Sequence, residues 1–123
     1  MNRAPDSNAL HTLGARALRE GYAAASFSPV EVAQAVLARM ARWEPHLHAT
    51  WLLRPERALA EARASEARWR RGAPLSPLDG VPLTLKDNIA TQGDATPLGT
   101  AAVEPTPAAA DVPPPRLLSV LGR

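Results

Sequence analysis

Three features of the sequence predict an α/β fold. A capped amphipathic helix opens at Ser28, and a second apolar stripe at helical spacing runs from Ala58 to Trp69. Two further stretches, 46–53 and 81–86, alternate their apolar residues with the period of a strand. Helices and strands are therefore expected together, in a chain of 123 residues that accommodates one modest domain.

The first helix is predicted from Ser7, where Leu10, Leu13, Ala17 and Leu18 follow helical spacing, and Gly21 is suited to end it in the left-handed conformation. Ser28-Pro29-Val30-Glu31 reads as a capping box. The Ser28 hydroxyl would accept from the third helical amide, Glu31 would reach back to the Ser28 amide, and Pro29 would occupy the first helical position, where its missing N–H costs nothing. Val32, Val36, Met40 and Trp43 then share one face, and Pro45 biases Glu44 away from helix, so an end near Trp43 is expected. Leu47, Ala49, Trp51 and Leu53 alternate with His46, His48, Thr50 and Leu52, which predicts a strand over 47–53. The two histidines would share a strand face, but with no third ligand nearby and no Cys, no metal and no cofactor are assigned.

From Pro55 the stripe Ala58, Leu59, Ala62, Ser65 and Trp69 predicts a third helix, with Glu66 placed to pair with Arg70 and Gly72 to close it. Arg68, Arg70 and Arg71 fall in the last turn, where cations complement the helix dipole, and this reading is preferred to a basic patch. Nine of the 13 prolines lie at or beyond Pro74, five of them between Pro105 and Pro115. Residues 103–123 form a Pro/Ala-rich tail with no periodic apolar face and are predicted to be disordered.

Composition excludes several classes. A net charge of +2 does not imply a nucleic-acid partner. The absence of Cys removes disulfides, thiolate zinc sites and a Cys nucleophile together. The N-terminal residues carry no signal-type apolar run and no stretch reaches membrane-spanning length, so a cytoplasmic protein with no membrane partner is expected. The chain has 13 Arg but a single Lys, Lys86. Arg holds its proton near neutral pH whereas a desolvated Lys releases it, so a lone surviving Lys suggests work that Arg cannot do.

Lys86 sits in the most informative stretch. Asp79-Gly80 signals a turn, after which Val81, Leu83 and Leu85 alternate with Pro82, Thr84 and Lys86; Pro82 limits this strand to an edge or to its first residues. Lys86 would thus stand at a strand end, followed at once by Asp87 and Asn88.

The run Leu78-Asp79-Gly80-Val81-Pro82-Leu83-Thr84-Leu85-Lys86-Asp87-Asn88-Ile89 closely resembles the catalytic-lysine segment of the amidase signature family. The likeness extends through Gly93, Thr96-Pro97 and Gly99-Thr100-Ala101-Ala102, and upstream through the capped helix, the expected strand and the Pro55-Glu56-Arg57-Ala58-Leu59 helix, so that it covers roughly residues 8–102. It implies that residues 1–102 are the N-terminal part of an amidase domain, helices packed on part of a mixed sheet. It further implies hydrolysis of carbon–nitrogen bonds in small-molecule amides by a Ser-Ser-Lys triad, with Lys86 as the general base. A Lys has a reference pKa of about 10.4, so its site must lower that value before it serves as a base near neutrality.

The resemblance stops after residue 102. The family's Gly/Ser-rich signature holds both serines, yet Ser7, Ser26, Ser28, Ser65, Ser76 and Ser119 stand in no Gly-Ser-Ser-Gly context. Where the family continues into helix after an Asp such as Asp111, this chain reads Val112-Pro113-Pro114-Pro115, which blocks one. A truncated or frameshifted copy, inactive alone, is therefore expected. The competing expectation is a non-catalytic small helical module that binds a protein partner.

Overall fold

The computed structural model describes residues 7–97, 99, 102 and 104–112. It divides into two compact units, one ending at Pro82 and the other beginning at Leu83.

The first unit is helical. A 3-10 helix, Ser7–Thr12, is followed by α1, Ala15–Ala23. The single helix expected from Ser7 is thus broken at Leu13-Gly14, and Gly14 serves as the N-cap of α1. Gly21 does not end α1. It lies inside the helix with the Phe27 ring packed where a Cβ would be, so its role is close packing rather than a left-handed cap. The cap is built on Ala25, whose φ is +51°. The Ser26 amide donates to the Gly21 carbonyl (3.0 Å) and the Ala25 amide to the Tyr22 carbonyl (3.2 Å), the paired bonds of a Schellman motif. An L-residue is strained in that conformation, so Ala25→Gly is expected to stabilise the protein by about 0.5–1 kcal/mol, measurable by urea denaturation.

Helix α2, Pro29–Leu47, starts with the predicted capping box: Glu31 N donates to Ser28 Oγ at 3.2 Å, and Ser28 N to Glu31 Oε2 at 2.8 Å. Its end differs from expectation. Pro45 lies within the last turn, where it forfeits only the hydrogen bond of its own missing N–H, and the helix continues to Leu47 before His48 closes it at φ +47°. His46 is consequently helical and His48 a left-handed cap, and the two do not share a strand face. Helix α3, Pro55–Arg70, ends in a second Schellman motif around Gly72 (φ +70°), with Ala73 N donating to Arg68 O and Gly72 N to Trp69 O, each at 3.0 Å. The predicted Glu66–Arg70 pair forms at 3.3 Å.

Helix α2 packs against both the 3-10 helix and α3. Leu10, Leu18, Tyr22 and Val32 make the buried core, with Leu13, Phe27, Ala35, Val36, Trp69 and Val81 packed on it. Tyr22 meets Phe27 edge-on and Trp69 at a tilt, with centroids 5.8 and 5.9 Å away.

Neither expected strand forms a ladder among the described residues. Residues 48–54 and 81–86 have no regular secondary structure, because a strand needs a neighbour to hold its backbone hydrogen bonds and none lies beside either segment in the described residues. The sheet pairing that exists is two isolated bridges in the second unit, Gln92 with Ala108 and Ala95 with Pro107. There Gly93 N donates to Ala108 O (2.9 Å), Ala108 N to Asp94 O (3.0 Å), and Gln92 N to Asp111 Oδ1 (2.7 Å). Pro107, Ala108 and Asp111 of the Pro/Ala-rich tail take part in these contacts, and residues 103 and 113–123 of that tail lie outside the described residues.

Candidate active site

The segment that carries Lys86 begins from a turn that the helical unit grips. Asp79 is 0% exposed, and its carboxylate takes a two-pronged ion pair from Arg68, Nε to Oδ2 at 2.7 Å and Nη2 to Oδ1 at 2.6 Å. The Leu75 amide adds a third bond at 3.0 Å. The backbone of the turn is held as well: Trp69 Nε1 donates to Asp79 O at 2.9 Å, and Tyr22 Oη to Gly80 O at 3.0 Å. Gly80 adopts φ +82°, and a Cβ there would come within 2.5 Å of Ser65 Oγ, so only glycine satisfies both the backbone and the packing. Four side chains from two helices thus converge on two residues: Tyr22 from α1, and Ser65, Arg68 and Trp69 from α3.

The electrostatics follow from this geometry. Burial pushes the Asp79 carboxyl up, but the Arg68 guanidinium and the Leu75 amide outweigh it and hold the group below the usual carboxylate range. The Ser65 hydroxyl contributes in the same direction, although it makes no contact of hydrogen-bond geometry. The Asp79 hydrogen bond raises Arg68 above its ordinary value, and burial raises the Tyr22 phenol. Because the folded Asp79 titrates below its unfolded value, its contribution to stability is present above a pH of about 4 and is lost as pH falls through the folded value. Chemical denaturation at a series of pH values is expected to show this acid-side loss, and Asp79→Asn is expected to flatten it.

Sequence reasoning placed Arg68 with the helix dipole and read Asp79 as a turn former, and so missed their pairing. The two residues are eleven apart with a helix end between them, a separation that no local periodicity reports. The one available signal was an acidic residue beside a required glycine shortly after a run of arginines.

Lys86 itself belongs to the second unit. It is exposed, and no described residue offers its ammonium a hydrogen bond or an ion pair. Its carbonyl accepts from the Ile89 amide at 3.0 Å, which folds Lys86-Asp87-Asn88-Ile89 into a turn where the sequence suggested a strand end. Among the described residues no serine or histidine is bonded to Lys86.

A family model described as Amidase matches residues 31–118. The A subunit of the glutamyl-tRNA(Gln) amidotransferase of Chloroflexus aggregans is 46% identical over 91 residues, which is 74% of this chain and 19% of that protein. Its counterpart of the same description from Myxococcus xanthus is 44% identical over 82 residues, 67% of this chain and 17% of that one. Among solved structures, a fatty acid amide hydrolase shares the fold with a TM-score of 0.84 at 23% identity, over 96% of this chain and 21% of its own. A chain from a structure described as a vestigial protein complex that reveals the origins of an s-triazine catabolic enzyme gives a TM-score of 0.78 at 30% identity, over 89% of this chain and 24% of its own. The fold and the lysine segment define an amidase-type protein, and the chain belongs to the amidase signature family. It spans about a fifth of the length of the curated relatives it matches.

No helix of the described residues is long and apolar enough to cross a membrane.

Proposed function

We propose that this chain supplies the lysine-bearing part of a cytoplasmic hydrolase that cleaves carbon–nitrogen bonds of small-molecule amides through a Ser-Ser-Lys mechanism, with Lys86 as its general base. The observation that carries this reading is the run Leu78–Ile89 around the chain's single lysine, in a chain of the amidase family. In that mechanism the neutral Nζ of Lys86 draws a proton through a bridging serine from the nucleophilic serine, whose oxygen attacks the amide carbon. The C–N bond breaks as the proton passes to the leaving nitrogen, and water then hydrolyses the acyl ester and restores the serine. A guanidinium could not replace the amine, since it does not release its proton near neutrality.

Neither serine is supplied by residues 1–123, whose six serines all lack the Gly-Ser-Ser-Gly surroundings. Lys86 as it stands is exposed, and the cover that this mechanism requires around its amine is not provided by the described residues. Both needs are met in this reading by polypeptide beyond these residues, which places the serines and covers the lysine. The test is ammonia release from glutamine and small aliphatic amides. The purified 123-residue chain is expected to show none, and activity on adding the remainder of an amidase is expected to depend on Lys86. Turnover by the chain alone that survives Lys86→Ala would overturn the proposal.

A further inference from the structure

Two aromatic side chains from different helices donate to consecutive carbonyls of one turn, Trp69 Nε1 to Asp79 O at 2.9 Å and Tyr22 Oη to Gly80 O at 3.0 Å. The Tyr22 bond spans 58 positions of sequence, so no local turn or helix geometry produces it. A phenylalanine ring would pack beside Phe27 and Trp69 as well as the tyrosine does; what the hydroxyl adds is a hold on one backbone atom. Together with the Arg68–Asp79 ion pair the two donors form a largely buried polar network. Such a network contributes less to net stability than a well-packed apolar core would, and its effect is to specify one conformation.

The conformation specified is that of the chain as it leaves the helical unit. Gly80 at φ +82° sets the bend, Val81 packs against the core, and the ring of Pro82 restricts the next φ. Lys86 follows Gly80 by six residues, and residues 81–86 have no regular secondary structure of their own. The gripped turn is therefore a fixed origin for the lysine segment. A general base must stand within hydrogen-bond reach of the proton it takes, and a misplacement of about 1 Å costs on the order of 100-fold in rate.

We propose that Tyr22 and Trp69 are positioning residues for Lys86: by holding the carbonyls of Gly80 and Asp79 they fix where, and in which direction, the chain sets out towards the lysine. The inference rests on the proposed function for the role of Lys86, and it adds two residues that act through the backbone of the turn.

The experiment has two arms. In the 123-residue chain, Tyr22→Phe removes one donor and keeps the ring. The Asp79 amide, which donates to Ser76 O at 3.1 Å, and the Val81 amide, which donates to Leu78 O at 3.0 Å, report the turn. Their hydrogen exchange is expected to quicken about fivefold, the effect of one lost hydrogen bond, while amides within α2 keep their rates. Unchanged exchange at both amides overturns the inference, as does an acceleration shared by α2, which marks general loosening.

The second arm measures ammonia release by the chain assembled with the part of the Chloroflexus aggregans amidotransferase polypeptide lying outside its 91 matched residues. Tyr22→Phe and Trp69→Phe are each expected to lower kcat by about tenfold at neutral pH and to leave KM within about twofold. The acid limb of the rate profile is expected to move to higher pH, because a displaced amine regains hydration and with it a preference for its charged form. A change that only destabilises the protein lowers the rate by one factor at every pH, and that result overturns the inference. An enzyme that depends on Lys86 but is indifferent to Tyr22→Phe overturns this inference alone. Activity that survives Lys86→Ala, or an assembly that releases no ammonia, overturns the catalytic reading of Lys86 and this inference with it.

Discussion

Asp79→Ala is expected to destabilise the helical unit by about 3 kcal/mol, the low end of the cost of breaking a buried ion pair, because the Arg68 it orphans is partly buried. The value follows from a fully buried carboxylate and a largely covered guanidinium: Asp79 is 0% exposed and the Arg68 side chain 14%. A unit of this size has a total stability of roughly 4–12 kcal/mol, so the variant stands close to unfolding. The Leu75 amide loses its acceptor in the same substitution. Urea denaturation followed by circular dichroism measures the effect. The double variant Arg68→Ala/Asp79→Ala is expected to cost less than the sum of the two single changes, because it removes the orphaned charge. A cost below about 1 kcal/mol for Asp79→Ala would mean that the pair contributes no more than an exposed ion pair does.

Lys86→Ala is expected to lower amide hydrolysis by about 10⁴-fold or more in the assembled enzyme of the proposed function. General bases that act in concert with a nucleophile contribute at least this much, and their loss is not made good by the other members of the group. Lys86→Arg is expected to be as inactive, because it keeps the charge and gives up the ability to cycle a proton. The helix content and urea midpoint of both variants should match the parent, since the Lys86 side chain is exposed and unpaired among the described residues. Ammonia release against substrate concentration is the measurement, and an assembled enzyme indifferent to both changes would remove Lys86 from the mechanism.

Asp79 and Lys86 stand close together in the chain and differ in how they could be read. The family resemblance of the segment around Lys86 was legible in the sequence, because the order of residues in that motif carries it, and Lys86 stands out there as the single lysine of an Arg-rich chain. The family match agrees with that resemblance. Asp79 was legible only as a turn former. Its ion pair depends on α3 ending where Arg68 points back at the turn, and on Trp69 and Tyr22 holding the carbonyls of Asp79 and Gly80. No spacing rule carries that information.

Local chemistry and long-range chemistry account for the rest in the same way. The Ser28–Glu31 capping box, the Gly72 cap and the Glu66–Arg70 pair were settled by the sequence, because each joins residues within one or two helical turns and needs no third element. Gly21 was misread because a glycine that admits a neighbouring ring and a glycine that caps a helix look alike until Phe27 is seen against it. The extent of α2 past Pro45 was decided by position: a proline in the last turn removes one hydrogen bond and leaves the others standing. The alternation over 47–53 and 81–86 reports which side chains could share a face, whereas a strand exists only where a second backbone accepts its hydrogen bonds. Pairing is a property of two segments, and so it belongs to the tertiary structure alone.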